Sequence, residues 1–407
     1  RRLSSSDSKT HLPHGLSEDE KIDNKLTDDD DIGQSVKDLE EKAANDDPSA
    51  LFVLGVLYWG DGTGNPVDDA EIEVGEAEVE VDASFKPDPK KAIEYYEKAV
   101  ELGDPRSMFN LATIYDFYHG DNVEQNLPRA IELYEKAAEK GEVCAQTNLG
   151  VLYETGTGVE QDLEKAAQIY QEAADQGDSD AMLNLGMLYE TGRGVESKNV
   201  DKAAELYRKA ADLGDTDAQV KLGFLYEKGE VPGEGVDLEK AASLYRKAAE
   251  NGNSDAQFNL ATMYENGTGV EKDDTKVLEW YAKSAENGNS DALFNLGVLY
   301  QNGKKEIEQD YKQAFNYYQR SADSGNPTAY YNMAVMLLNG EVEIDDDEKS
   351  HDMAVEYFKK SAELGCPEAQ FYTGQLYEFG DHVDRNLVKA AQLYRQAADK
   401  GIVGAQY

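Results

Sequence analysis

From about residue 48 onward, apolar positions recur at helical spacing in short blocks separated by glycine-bearing turns. Between Cys144 and Glu154, the residues Ala145, Leu149, Leu152 and Tyr153 fall on one face, which predicts a helix stopped by Gly156. A second block, Leu163 to Asp175, sets Ala166, Ala167, Tyr170 and Ala174 on one face and ends at Gly177. The unit is therefore helix A, turn, helix B, turn, and it returns. Aligned on the helix A tyrosine, nine copies sit at Tyr58, Tyr115, Tyr153, Tyr189, Tyr226, Tyr264, Tyr300, Leu337 and Tyr377. From Tyr115 onward the spacing stays within 36 to 40 residues. A fixed period of that size predicts a stacked repeat array, in which each unit buries its apolar face only against its neighbours. The expected fold is all-α, a solenoid of about nine helix-turn-helix repeats.

Two comparisons between copies support the register. Eight residues before the helix B aromatic stand Asp88, Asn126, Asp162, Asn199, Asp237, Asp273, Asp310, Ser350 and Asn386. All are preferred N-caps, whose short side chains accept from orphan helix N–H groups. Pro89 follows Asp88 at the first helical position, where its missing N–H costs nothing. Inside helix A a small residue recurs as Gly55, Ala112, Gly150, Gly186, Gly223, Ala261, Gly297, Ala334 and Gly374. Glycine inside a helix costs up to ~1 kcal/mol against alanine, so its return predicts close approach by the partner helix.

The pattern A-x-x-N-L-G-x-L-Y-E-x-G-x-G-V, then K-A-A-x-x-Y-x-K-A-A-x-x-G, resembles the Sel-1-like repeat family over about residues 48 to 407. That resemblance implies a right-handed α/α solenoid related to the tetratricopeptide repeat. Relatives include luminal adaptors of endoplasmic-reticulum-associated degradation, activators of cell-wall synthases and regulatory modules beside kinase domains. Some members are credited with weak hydrolase activity, but the cysteine pairs that staple their repeats are missing here.

The chain departs from the pattern in three places. Tyr58 and Tyr115 lie 57 residues apart, about twenty too many, with an acidic insertion at about 65–86. There Ile72 and Val74 alternate with acids, and the phase changes to Ala77, Val79 and Val81 after Gly75-Glu76. That reads as a two-residue hairpin or as an unstructured acidic loop. The eighth copy is degenerate, with Leu337 for tyrosine and an acidic turn from Glu341 to Glu348. Ala405 begins a tenth helix A that is truncated at Tyr407, so further chain is expected there. Residues 1–32 are polar, charged and aperiodic and are expected to form a disordered acidic tail, with the solenoid over 33–407. Ser35 to Ala44 reads as a lone starting helix.

Charge narrows the partners. The chain carries 82 acids against 40 bases, a net charge of −42. Such a surface repels phosphate backbones and favours encounter with basic partners, though it also simply keeps a long array soluble. No apolar run reaches the ~20 residues a membrane helix needs. Cys144 and Cys366 fall in the third and ninth copies, so neither a disulfide between them nor a zinc site is expected. The chain starts at Arg1, which leaves a signal peptide, and with it a cytoplasmic or luminal location, open.

The candidate binding residues lie on helix A. Asn110, Asn148, Asn184, Asn259, Asn295 and Asn332 share one register, and a position three residues on shares their face, Met187 and Phe224 among them. An asparagine ladder interleaved with apolar positions suits the backbone of an extended peptide. The competing reading is an amide that bonds neighbouring repeats. The glycine turns Gly156-Thr-Gly158, Gly192-Arg-Gly194 and Gly267-Thr-Gly269 read as helix terminators and not as phosphate cradles, since no Gly-Lys-Ser/Thr follows. His11, His14, His119, His351 and His382 are scattered. Ser4, after Arg1-Arg2-Leu3, and Ser17, before Glu18-Asp19-Glu20, are candidate phosphorylation sites, and Asn266-Gly-Thr268 is a glycosylation sequon. The sequence thus points to a non-catalytic scaffold or adaptor, without cofactor or metal, that binds proteins or extended peptides in a concave groove. An adaptor of luminal protein degradation, or a regulatory module of a larger enzyme such as a kinase, is the alternative.

Overall fold

A computed structural model describes residues 34–60, 71–74, 77–80, 86–117, 123–304, 306–342 and 347–405. The chain forms two compact units, Arg1–Asp215 and Thr216–Tyr407. In the first, α1 (Val36–Ala43) precedes four A/B pairs: α2 (Pro48–Trp59) with α3 (Pro89–Glu101), α4 (Pro105–Phe117) with α5 (Leu127–Glu139), α6 (Val143–Thr155) with α7 (Leu163–Asp175), and α8 (Ser179–Thr191) with α9 (Val200–Asp212). The second holds five: α10 (Thr216–Lys228) with α11 (Leu238–Glu250), α12 (Ser254–Asn266) with α13 (Asp274–Glu286), α14 (Ser290–Asn302) with α15 (Tyr311–Asp323), α16 (Pro327–Leu338) with α17 (Asp347–Glu363), and α18 (Pro367–Phe379) with α19 (Leu387–Asp399). A 3-10 turn spans Val403–Ala405.

The helix B starts follow from the cap residues. Asp88, Asn126, Asp162, Asn199, Asp237, Asp273, Asp310 and Asn386 each accept from a backbone N–H in the first turn. The same residues donate their own N–H back to the helix A tyrosine carbonyl, as from Asp88 to Tyr58 and from Asn199 to Tyr189, both at 2.8 Å. The cap therefore starts helix B and pins it to the end of helix A. The ninth expected cap does not hold. Ser350 lies inside α17, which begins at Asp347, and its hydroxyl donates to the Leu337 carbonyl at 3.5 Å. Acids in a first turn favour a helix dipole, so the acidic run extends this helix backward past the serine.

The core is a tyrosine laid on a glycine. A Cβ placed on Gly55, Gly150, Gly186 or Gly297 would stand 2.4 to 2.6 Å from the ring of Tyr96, Tyr170, Tyr207 or Tyr318. That distance is shorter than van der Waals contact, so the ring occupies the space a side chain would need. These four tyrosines are at most 1% exposed. Helix A ends on a left-handed glycine, with φ 75° at Gly156 and Gly192. The second glycine of the turns after α8 and α12 meets the preceding helix B, since a Cβ on Gly194 would lie 2.2 Å from the Leu163 carbonyl oxygen and one on Gly269 2.1 Å from that of Leu238.

The insertion carries a small sheet beside the helices. Strands β2 (Glu71–Val74) and β3 (Ala77–Glu80) pair antiparallel, with Ile72 opposite Val79, and β1 (Gln34–Ser35) runs parallel to β3. The expected turn Gly75-Glu76 lies outside the described residues, as do residues 1–32 and the chain end at Tyr407. Among the described residues no helix is long and apolar enough to cross a membrane.

Candidate functional site

The asparagine ladder does structural work. Asn110 on α4 donates to the Tyr96 hydroxyl on α3 at 3.2 Å, and Asn148 on α6 donates to Tyr134 on α5 at 3.2 Å. In the second unit Asn295 on α14 donates to Tyr281 on α13 at 3.1 Å, and Asn332 bonds Tyr318. Each amide thus ties helix A of one copy to helix B of the copy before. The phenol also reaches an acid or amide on its own helix A, as Tyr170 to Glu154 at 3.0 Å and Tyr318 to Gln301 at 2.8 Å. Burial lifts the Tyr96, Tyr134, Tyr281 and Tyr318 hydroxyls above the ordinary phenol range, and Tyr281 and Tyr318 are pushed up to about 12. They stay neutral, and a neutral hydroxyl both donates and accepts.

Exposure divides the ladder. Asn110, Asn148 and Asn184 are 0% exposed, whereas Asn259, Asn295 and Asn332 are partly open. The position three residues on divides at the same copy. Thr113, Val151 and Met187 are buried, Phe224 is 43% exposed, and Thr262, Val298 and Val335 are partly open. The structure therefore joins Phe224, Asn259, Asn295 and Asn332 on accessible A helices of the second unit. It seals Asn110, Asn148, Asn184 and Met187 in the first unit. For those four the amide or thioether is taken up by packing and is not open to a partner.

The remaining candidates are dispersed. Ser4 and Ser17 lie outside the described residues. Asn266 is exposed at the last residue of α12, beside left-handed Gly267. Both cysteines are free thiols. The histidines are less scattered than their sequence positions suggest. The rings of His351 and His382 stack at 5.4 Å, and His382 Nδ1 lies 2.9 Å from an Asp352 carboxylate oxygen. Among the described residues no group of three or more His, Cys, Asp or Glu is placed to hold a metal ion.

One recurring contact escaped the sequence reading. A lysine in the first turn of helix B lies over the helix A tyrosine ring in six copies, 3.9 to 5.1 Å from its centroid, as Lys165 over Tyr153 and Lys389 over Tyr377. The signal was present, because this lysine follows the cap at fixed spacing, but lysine on a helix surface is ordinarily a solvated charge.

Paired helices locked by tyrosine, with side chains presented along successive A helices, define an α/α repeat protein of the interaction type. The Sel1 repeat model matches nine segments, residues 83–104, 105–142, 145–178, 179–215, 216–253, 254–289, 290–326, 327–366 and 367–402. The chain belongs to the Sel1 repeat family. Its first matched segment holds only helix B of the first copy. Among solved structures it is similar to a Sel1 repeat protein from Oxalobacter formigenes, at 31% identity over 77% of this chain and 88% of that chain, with a TM-score of 0.56. It also matches a protective antigen of uropathogenic Escherichia coli strains displaying an SLR fold, at 29% identity over 91% of this chain and 80% of that chain, with a TM-score of 0.49. A comparison with curated proteins finds no match. Sel1 repeat proteins generally mediate protein–protein interaction, and the scaffold is typically non-catalytic.

Proposed function

We propose that this chain is a non-catalytic scaffold that holds a partner protein, through an extended segment of it, on the A helices of the second unit. The observation that carries this reading is the open face itself. Phe224 is 43% exposed, and Phe258 and Phe294 on the following A helices are partly open beside Asn259 and Asn295. An aromatic anchor next to amides with spare bonding capacity suits a peptide backbone with an apolar side chain. The net charge of −42 favours a cationic segment.

The test is anisotropy titration of a panel of labelled cationic peptides against the full chain and against Phe224→Ser combined with Asn259→Ala. Neither change removes a buried tyrosine contact. Binding should fall at least tenfold while the melting profile holds. Undiminished binding by the folded variant would contradict the assignment. The degradation-adaptor alternative is read at Asn266, whose exposed position accepts a glycan. Mass spectrometry of the natural protein showing an occupied Asn266 would favour it, and an unmodified Asn266 would count against it.

A further inference from the structure

The gap between neighbouring copies is filled in some repeats and open in others. Three residues before the helix B tyrosine, copy 2 carries Ile131 and copy 3 carries Ala167. Ile131 is 9% exposed, and its Cδ1 lies 3.0 Å from a Cβ placed on Gly158, in the turn of copy 3. The isoleucine therefore fills the space between α5 and that turn. In copy 7 Phe315 stands at this position, with its ring 6.4 Å from that of Tyr357 on the helix B of the next copy. Alanine has no such reach. Beside Ala167 a cleft of about 980 Å³ opens between copies 3 and 4. The substitution recurs at Ala242 in copy 5. There a cleft of about 570 Å³ lies between Glu239 on α11 and the Gly269-Val270-Glu271 turn of copy 6.

The larger cleft has a defined chemistry. One wall is a single stripe of α7, formed by Glu164, Ala167, Gln168, Gln171 and Glu172. Facing it are Leu185 and Tyr189 on α8, Glu196 in the following turn, and Lys202 on α9. Ala167 and Leu185 are buried and give the cleft an apolar part. Glu164, Glu172 and Glu196 are exposed at its rim, and none of the three carboxylates forms an ion pair among the described residues. Lys202 does not neutralise them. Its Nζ sits 4.8 Å from the Tyr189 ring centroid and donates to the Tyr189 hydroxyl at 3.4 Å. The Gln171 amide nitrogen donates to Asp175 at 2.8 Å, which leaves its carbonyl oxygen as an acceptor. The same two carboxylate positions recur in the smaller cleft, where Glu239 matches Glu164 and Glu271 matches Glu196. Acceptors around an apolar part suit a long side chain with an apolar stem and a cationic head. Arginine fits best, since its stem can lie on Ala167 and Leu185 while its planar fork offers five donors to separate acceptors. Ligand pockets span roughly 300–1,000 Å³, so this cleft holds more than one side chain.

We propose that the cleft between copies 3 and 4 is a second docking site, separate from the second-unit face, and that it takes an arginine with its flanking residues from a partner protein. Glu164 and Glu196 hold the guanidinium, and Ala167 makes the room for it. The site is built by one small residue in a position that copy 2 fills with isoleucine, so it is a property of this pair of copies and not of every repeat.

The test is photocrosslinking of the full chain with a short capped glycine-arginine-glycine peptide that carries a benzophenone, with the crosslinks mapped by mass spectrometry. Crosslinks should fall on α7, α8 and the turn between α8 and α9. Ala167→Ile, which installs the residue copy 2 already accepts, should reduce them at least fivefold while the melting profile holds. Glu164→Gln combined with Glu196→Gln leaves the cleft its shape and should reduce them by as much, as should citrulline in place of the peptide's arginine. Undiminished crosslinking in either folded variant, or equal crosslinking by the citrulline peptide, would overturn the proposal. Spermidine displacing the probe as well as unlabelled arginine peptide does would assign the cleft to a small amine and overturn it too. Crosslinks on α10, α12 and α14 report the second-unit face separately, so either site can fail while the other stands.

Discussion

Copies 3 and 7 share a core and differ in their face. In both, glycine on helix A receives the copy's own helix B tyrosine, and the helix A asparagine donates to the tyrosine hydroxyl of the copy before. In copy 3 Asn148 and Val151 are buried, and in copy 7 Asn295 and Val298 are partly open. One helix thus carries two sets of residues with separate duties. The core set is alike in the two copies, and the face set is buried in one and partly open in the other. This separation lets a repeat array vary its ligand without risking its fold.

The core half of that comparison is tested most severely at glycine. Gly150→Ala and Gly297→Ala should each cost about 1–3 kcal/mol by denaturant unfolding, the overlap with tyrosine outweighing the gain in helix propensity. Similar losses in both units would show that the cores are equivalent. Copies 2 and 6 accept alanine there and pair it with threonine, as Ala112-Thr113 and Ala261-Thr262, whose hydroxyls lie 3.2 Å from Tyr134 and Tyr281. Adding Val298→Thr to Gly297→Ala should therefore recover part of the loss.

Next in size are the amides. Asn148→Ala should cost about 1–3 kcal/mol because it removes a fully buried bond to the Tyr134 hydroxyl, which keeps only Thr113 and Asp116, and Asn295→Ala about 1 kcal/mol because water can replace the bond. Equal costs, read from the same unfolding curves, would deny that the two faces differ.

The smallest effect concerns pH. Asp116 is buried on the covered face, and desolvation pushes its carboxyl up to about 6, partly offset by the Tyr134 hydroxyl. A folded-state value above the ordinary one favours the protonated form, so this group's contribution is fully present below about pH 4 and lost as pH rises through 6. Asp116→Asn should therefore add about 1 kcal/mol at pH 7.5, after discounting for solvent screening, and little at pH 4. Thermal melts at the two pH values check this.

Most of the array could be read from the chain because its signals are local and repeated. Eight of nine cap residues are caps because a short oxygen-bearing side chain at a fixed offset from an aromatic leaves few other conformations. Ser350 departs from the pattern because the cap rule competes with the dipole preference of the acids just before it. The asparagine ladder was placed on the right helices. Its bond to the preceding tyrosine joins residues fourteen apart in different helices, so spacing alone left the structural and binding readings open. The division of exposure was not legible at all. Asn148 and Asn259 sit in near-identical sequence, so no local pattern separates the buried amide from the open one.

The central claim is that one scaffold presents a closed face and an open one, and that the open face binds. Labelling at Val151→Cys and Val298→Cys in the full chain, with and without a saturating cationic peptide, tests both parts together. The account predicts fast reaction at Val298→Cys, slow reaction at Val151→Cys, and slowing by the peptide at Val298→Cys alone. Equal rates without peptide, or a peptide that binds and slows only Val151→Cys, would contradict it.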